Sequence, residues 1–196
     1  MRETLGYNKN NKEREVNDFY ATPPKEVENI LKHEEIVGSV LEPCCGMGHM
    51  VEGIKNSGYE GPIYCTDLIN RGYGETGLDY LSRDYPYTKD IGTVIINPPF
   101  RNIENFVKKS IEIAGDKVIL FARNQFAEGE SRYKNIFKDN SPSRIYQYVD
   151  RIACAKDGDF NKSLSSNMAF AWFVWDKKSN NDTTEFRWIR RHDKVG

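Results

Sequence analysis

Apolar residues recur along this chain at two periods, and the two alternate. "TPPKEVENILKHEE" (22–35) repeats Val27, Ile30 and Leu31 at helical spacing, with Thr22 as N-cap and a proline in the first turn, so a helix is predicted there. "IVGSVLEP" (36–43) reads as a strand, "HMVEGIKNSG" (49–58) as a short helix ended by Gly58, and "GPIYCTDL" (61–68) as a second strand. "RGYGETG" (71–77) reads as loop. "TVIINPP" (93–99) is an apolar run of the kind buried on both faces of a sheet. "NIENFVKKSIEIAG" (102–115) is an amphipathic helix, "DKVILFAR" (116–123) a buried strand, and "EGESRYKNIFKDN" (128–140) is helical by period. "SRIYQYVDRIAC" (143–154) and "MAFAWFVWDK" (168–177) read as long strands, and "TEFRWIRR" (184–191) as a final edge strand.

Strands alternating with helices imply crossover units and an α/β fold with a mostly parallel sheet. The loop "AKDGDFNKSLSSN" (155–167) has poor helical period, so the two long strands it joins are expected to pair antiparallel. In such sheets ligands sit beyond the carboxyl ends of the strands.

Composition narrows the class. The 196 residues are 38% hydrophobic and 29% charged, ordinary for a globular chain, and suit one domain over 18–196 after a polar, mobile arm over 1–17. No apolar stretch approaches the roughly 20 residues of a membrane span, and the arm has no apolar signal core, so a cytoplasmic protein is expected. Cys44, Cys45, Cys65 and Cys154 lack zinc-site spacing, and a metal at Cys44, Cys45 and His49 would want a fourth ligand; no metal is expected. The net charge of −1 hides an asymmetry: residues 1–100 hold 10 Lys+Arg against 16 Asp+Glu (−6), residues 101–196 hold 18 against 13 (+5). A basic half permits contact with a polyanion, although mixed charge also suits a plain solvated surface.

The strand ends carry the candidate chemistry. After the first strand, "LEPCCGMG" (41–48) supplies Glu42, Cys44, Gly46 and Gly48, glycines that let backbone turn tightly or approach a ligand. The third glycine of a dinucleotide fingerprint would fall at Val51, so a diphosphate is not indicated. Asp67, followed by Leu68, ends the second strand, where a carboxylate can accept both hydroxyls of a ribose. A ribose without a diphosphate is a description that S-adenosylmethionine fits. In "GLDYL" (77–81), Asp79 could accept from an adenine amine, with Tyr80 or Leu81 against the ring.

Asn97-Pro98-Pro99-Phe100 ends the third strand. The amine of a nucleobase is a poor nucleophile because its lone pair is delocalised into the ring. Two acceptors aimed at its N–H bonds, the Asn97 side-chain oxygen and the Pro98 carbonyl, would hold it with the lone pair turned to an electrophile. The prolines stiffen that geometry in advance. Phe100 offers a flat face for an extruded base, worth about 1–3 kcal/mol.

This ordered set resembles the S-adenosylmethionine-dependent amino-group methyltransferases, above all the N6-adenine DNA type, with the gamma motif order. The resemblance covers roughly residues 18–177. It implies a Rossmann-like class I methyltransferase fold: a mostly parallel seven-stranded sheet, an antiparallel final strand, and helices on both faces. It implies S-adenosylmethionine as cofactor and DNA as substrate, RNA being compatible. Asn97, Pro98, Pro99 and Phe100 would be catalytic, and Glu42, Cys44, Gly46, Gly48, Asp67, Leu68, Asp79, Tyr80 and Asn97 would line the cofactor. "FYATPP" (19–24) is similar to the family's N-terminal segment, whose backbone meets the cofactor's methionine part at Thr22 and Pro23. The stretch 160–177 looks like small phage-borne methylases, and Phe160 would lie across the base pocket. The chain departs from the family in having nothing long enough for a separate target-recognition domain, which leaves readout to loops, a recognition subunit or a second copy. RNA adenine, cytosine N4 and a glutamine amide offer the same conjugated NH2, and a binding subunit without turnover is the contrasting class. Pro43-Cys44 mimics the nucleophile pair of carbon-5 cytosine methylation, but it sits in the cofactor loop, so covalent catalysis is not expected.

Overall fold

The computed structural model describes residues 19–160, 168–179 and 183–191, so the polar arm expected over 1–17 lies outside the described residues. The strands are β1 (Tyr20–Ala21), β2 (Val40–Glu42), β3 (Ile63–Asp67), β4 (Glu75–Thr76), β5 (Thr93–Ile96), β6 (Lys117–Arg123), β7 (Arg144–Tyr148), β8 (Ala155–Lys156), β9 (Phe170–Asp176) and β10 (Glu185–Ile189). The helices are α1 (Pro24–Ile30), α2 (His49–Asn56), α3 (Ile103–Ile113) and α4 (Glu130–Arg132), the last running into a π-helical stretch, Tyr133–Phe137.

Among the described residues eight strands form one sheet in the order β10-β7-β9-β6-β5-β2-β3-β4. All neighbours are parallel except β9, which runs antiparallel between β6 and β7. The antiparallel pairing expected of the two long strands is thus present, and β10 adds an outer edge to the seven-stranded pattern. Strands β1 and β8 pair separately, with Tyr20 opposite Lys156 and Ala21 opposite Ala155.

Alternation along the central strands divides the core into two. Val94, Ile96, Val118, Leu120, Ala122, Phe173 and Trp175 face one side, where α3 adds Phe106 and Val107. Ile95, Ile119, Phe121, Trp172 and Val174 face the other, where α1 and α2 add Val27, Ile30, Met50 and Ile54. Helices therefore cover both faces, and the continuous apolar runs of β5, β6 and β9 follow from burial on both sides.

Local expectations shift in four places. The α1 cap is Pro23, and Thr22 makes no cap bond; its hydroxyl is used elsewhere. The strand expected over 143–154 stops at Tyr148, because the chain must turn to bring Ala155 beside Ala21. Within "RGYGETG", Glu75 and Thr76 pair with Thr66 and Asp67. The helix over 128–140 is α-helical only briefly before it widens.

At the amino ends of β6 and β7 lies a buried ion cluster. Glu34 accepts from Arg144 Nη2 (2.9 Å), Arg144 Nε, Lys117 Nζ (2.9 Å) and the Tyr146 hydroxyl (2.7 Å). Asp176 accepts from Arg144 at 2.8 Å.

Candidate active site

The carboxyl ends of β2, β3, β5 and β6 meet at the opposite end of the sheet. After β2 the chain turns through Gly46 (φ +55°) and Gly48 (φ +86°) into α2. Gly46 has no room for a side chain: a Cβ there would lie 2.1 Å from the Phe19 ring. Asp67, ending β3, accepts from the Gly46 N–H at 2.8 Å and from the Ile69 N–H at 2.8 Å. Those bonds lash the glycine turn to β3 and leave further lone pairs on the carboxylate.

Glu42 is 1% exposed at the end of β2. Its Oε1 accepts from the Cys44 N–H at 3.2 Å, while Oε2 has no partner among the described residues. Burial pushes its carboxyl well above the usual range, against the Cys44 bond, and the nearby Asp67 charge adds to the rise. Burial likewise pushes up the Cys44 thiol, with Glu42 adding to it, so Cys44 is held as an unreactive thiol. The four cysteines are free. Among the described residues no group of three or more His, Cys, Asp or Glu could hold a metal ion.

A small cleft of about 20 Å³ is lined by Thr22, Glu42, Cys44 and Asn97, four residues that sequence reasoning assigned to this site. Phe19, Tyr20 and His49 line it too, and were not so assigned. Phe19 stands just before the "TPP" segment, a signal that could have found it; Arg71 lies over its ring at 4.9 Å. His49 is the first residue of α2, its Nδ1 buried without a partner among the described residues. Burial lowers its pKa, which favours the neutral ring.

Asn97 follows β5, and its Nδ2 donates to the Tyr20 carbonyl (2.9 Å) and to Thr22 Oγ1 (3.0 Å). A carbonyl can only accept, so the nitrogen must face it, and the side-chain oxygen points the other way. Pro98 is buried and Pro99 exposed. The Phe100 ring carries the Arg123 guanidinium at 4.1 Å, from the end of β6, with the Tyr20 ring at 6.2 Å.

The remaining candidates scatter. Leu68 is 55% exposed beside Asp67. Asp79 is exposed and accepts from the Leu81 N–H at 2.9 Å, an Asx turn; the Leu78 N–H bond to the Asp67 carbonyl (3.2 Å) holds that turn near β3. Tyr80 departs from expectation. Its ring is buried in the core against Tyr85 and Phe106, and its hydroxyl bonds Ser110 at 3.0 Å, so it is a packing residue and presents no face to a ligand. Phe160 meets the His49 ring edge-on at 5.2 Å, against the start of α2. Pro23 caps α1.

No protein-family model and no curated protein matches the chain. Among solved structures it is similar to a protein described as a modification subunit of a type I restriction enzyme from Vibrio vulnificus YJ016, with a TM-score of 0.59 and 14% identity. That match covers 90% of this chain and 48% of the subunit, so the chain spans about half its length. A protein described as an RNA methyltransferase from Pyrococcus horikoshii matches with a TM-score of 0.54 and 15% identity, over 78% of this chain and 83% of that one. A SAM-dependent O-methyltransferase from Thermotoga maritima matches with a TM-score of 0.51 and 10% identity, over 80% and 67%. The chain has the Rossmann-like fold of the S-adenosylmethionine-dependent methyltransferases.

Proposed function

We propose that this chain methylates an exocyclic amine of a nucleobase, N6 of adenine in DNA, with S-adenosylmethionine as donor. One observation carries the reading: the Asn97 side chain turns its donors inward and leaves its oxygen as the acceptor at the end of β5. Asn97 spends its N–H groups inward on Tyr20 and Thr22, and Pro98 and Pro99 have no N–H. Such a surface suits a group with two hydrogens to donate and disfavours a carbonyl or an oxyanion.

The residues also fit the cofactor. A buried carboxylate oxygen without a partner is costly unless a cation arrives, and the donor's α-ammonium is such a cation. Glu42 would hold that ammonium, and Asp67 would take the ribose hydroxyls on its remaining lone pairs. When bound, the donor supplies an electrophilic methyl on a sulfonium that leaves as a neutral thioether. Asn97 Oδ1 and the Pro98 carbonyl accept the two amine hydrogens and turn the nitrogen lone pair outward. Asn97 is neutral, so the surplus proton passes from the methylated nitrogen to water. Phe100, backed by Arg123, would stack the base.

The likeness to a restriction-modification subunit supports DNA, and a recognition subunit would then supply readout. A base in RNA is the second reading, supported by the match to a protein described as an RNA methyltransferase, which spans most of both chains. Labelled donor is incubated with DNA and RNA pools, and the products are digested to nucleosides for mass spectrometry. N6-methyladenine from DNA is expected; label on RNA only would move the reading to RNA, and no labelled base would end it. Asn97→Ala is expected to lower turnover about 10²–10³-fold, the scale of losing one positioned hydrogen-bonding group.

A further inference from the structure

Thr22 is 3% exposed, caps no helix, and spends its hydroxyl on the reacting strand end. The Tyr20 carbonyl and Thr22 Oγ1 stand two residues apart on one strap, and both receive the Asn97 nitrogen, at 2.9 and 3.0 Å. The strap is not loose. Strand β1 pairs with β8, and the Phe19 carbonyl accepts from the Asp157 N–H at 2.9 Å.

An asparagine amide has two faces of opposite character, and a half-turn about its last torsion exchanges them. With the nitrogen outward, the strand end would present donors to an incoming NH2, and donor would meet donor. The Tyr20 carbonyl opposes that half-turn, because the Asn97 oxygen would then face another oxygen. A second acceptor ties down the second amide hydrogen, so neither remains to be offered to solvent or substrate.

We infer that Thr22 is a positioning residue for the reaction: with the Tyr20 carbonyl it latches the Asn97 amide so that only its oxygen faces the substrate. The role rests on the amine-methylation reading for its chemical meaning. It is separate from any backbone contact of Thr22 with the cofactor. Thr22 sets which atom of Asn97 is presented, and so helps select NH2 over acceptor groups.

Thr22→Val keeps the side chain's shape and removes the hydroxyl, while Thr22→Ser keeps the hydroxyl. For Thr22→Val, kcat is expected to fall about 3- to 10-fold, the worth of one hydrogen bond, with the Kd for S-adenosylmethionine within twofold of wild type. Thr22→Ser is expected to restore most of kcat. A second readout needs no turnover: in the 15N–1H spectrum of the full chain, both Asn97 side-chain amide hydrogens should exchange slowly in wild type, and one should be deprotected in Thr22→Val. An unprotected Asn97 amide in wild type, or a Thr22→Val enzyme with wild-type kcat, overturns the latch. A loss confined to cofactor Kd also overturns it, since Thr22 would then serve only the donor site. A wild-type chain with the amide protected but no activity on any amine sinks the methylation reading and leaves the latch standing.

Discussion

Two glutamates eight residues apart, both buried, sit at opposite ends of the central sheet and are treated oppositely. Glu34 accepts four hydrogen bonds, from Arg144 twice, Lys117 and Tyr146. Burial alone would raise its pKa, but those partners outweigh it and hold it below the ordinary carboxylate value. Glu42 has one long bond and a bare oxygen, and burial wins. A carboxylate saturated by the protein's own cations belongs to the scaffold. A carboxylate left half-satisfied beside a cleft is, on the proposed reading, the one that would receive the cofactor's cation.

That contrast can be broken at either end. The largest effect is expected for Glu34→Gln, which leaves Lys117 and Arg144 without their main anion. Stability should fall by about 3–5 kcal/mol, read from urea unfolding, because breaking one side of a buried pair strands the other. Glu42→Gln should do the reverse at neutral pH. It removes an uncompensated buried acid, so stability should hold or rise by about 1 kcal/mol, while titration calorimetry should show S-adenosylmethionine binding weakened at least tenfold, the scale of a charge-assisted bond. An unchanged Kd would detach Glu42 from the cofactor.

A smaller effect should appear as pH is varied. The Glu34 pKa is depressed, so its stabilisation is present above the unfolded carboxyl pKa and is lost as pH falls through the lower folded value. The Glu42 pKa is raised, so its contribution is complete below the unfolded pKa and fades as pH rises through the higher folded value. Unfolding curves from pH 4 to pH 8 should therefore show wild type losing ground to Glu42→Gln as pH rises. The gap to Glu34→Gln should narrow only at the acid end. Parallel curves for both variants would remove the distinction.

How much of this was legible beforehand follows the same division. Strands β5, β6 and β9 announced themselves because burial on both faces demands unbroken apolar runs. Strands β1, β4 and β8 have two residues each, too few for any periodicity, and owe their existence to tertiary pairing. Asn97, Asp67 and the glycine turn could be placed at strand ends because the apolar runs before them mark where each strand stops. Tyr80 was misplaced because a tyrosine beside an acid reads alike whether its ring turns to the core or to a ligand; the Ser110 hydroxyl that decides it lies thirty residues on. The use of the Thr22 hydroxyl was hidden for a similar reason: its partner, Asn97, is 75 residues away.

Strand β9 lies between two strands that precede it in the chain. While the chain is being synthesised, β6 and β7 must wait with facing edges open until Phe170–Asp176 emerges, so β9 enters the sheet by insertion between two strands, whereas β10 adds at an edge. Until then the strand that carries Arg123 is held from one side only, and its bare edge, rich in Leu120 and Phe121, is a template for the wrong neighbour. Fragments that stop short of Phe170 should accordingly precipitate rather than yield a smaller folded protein.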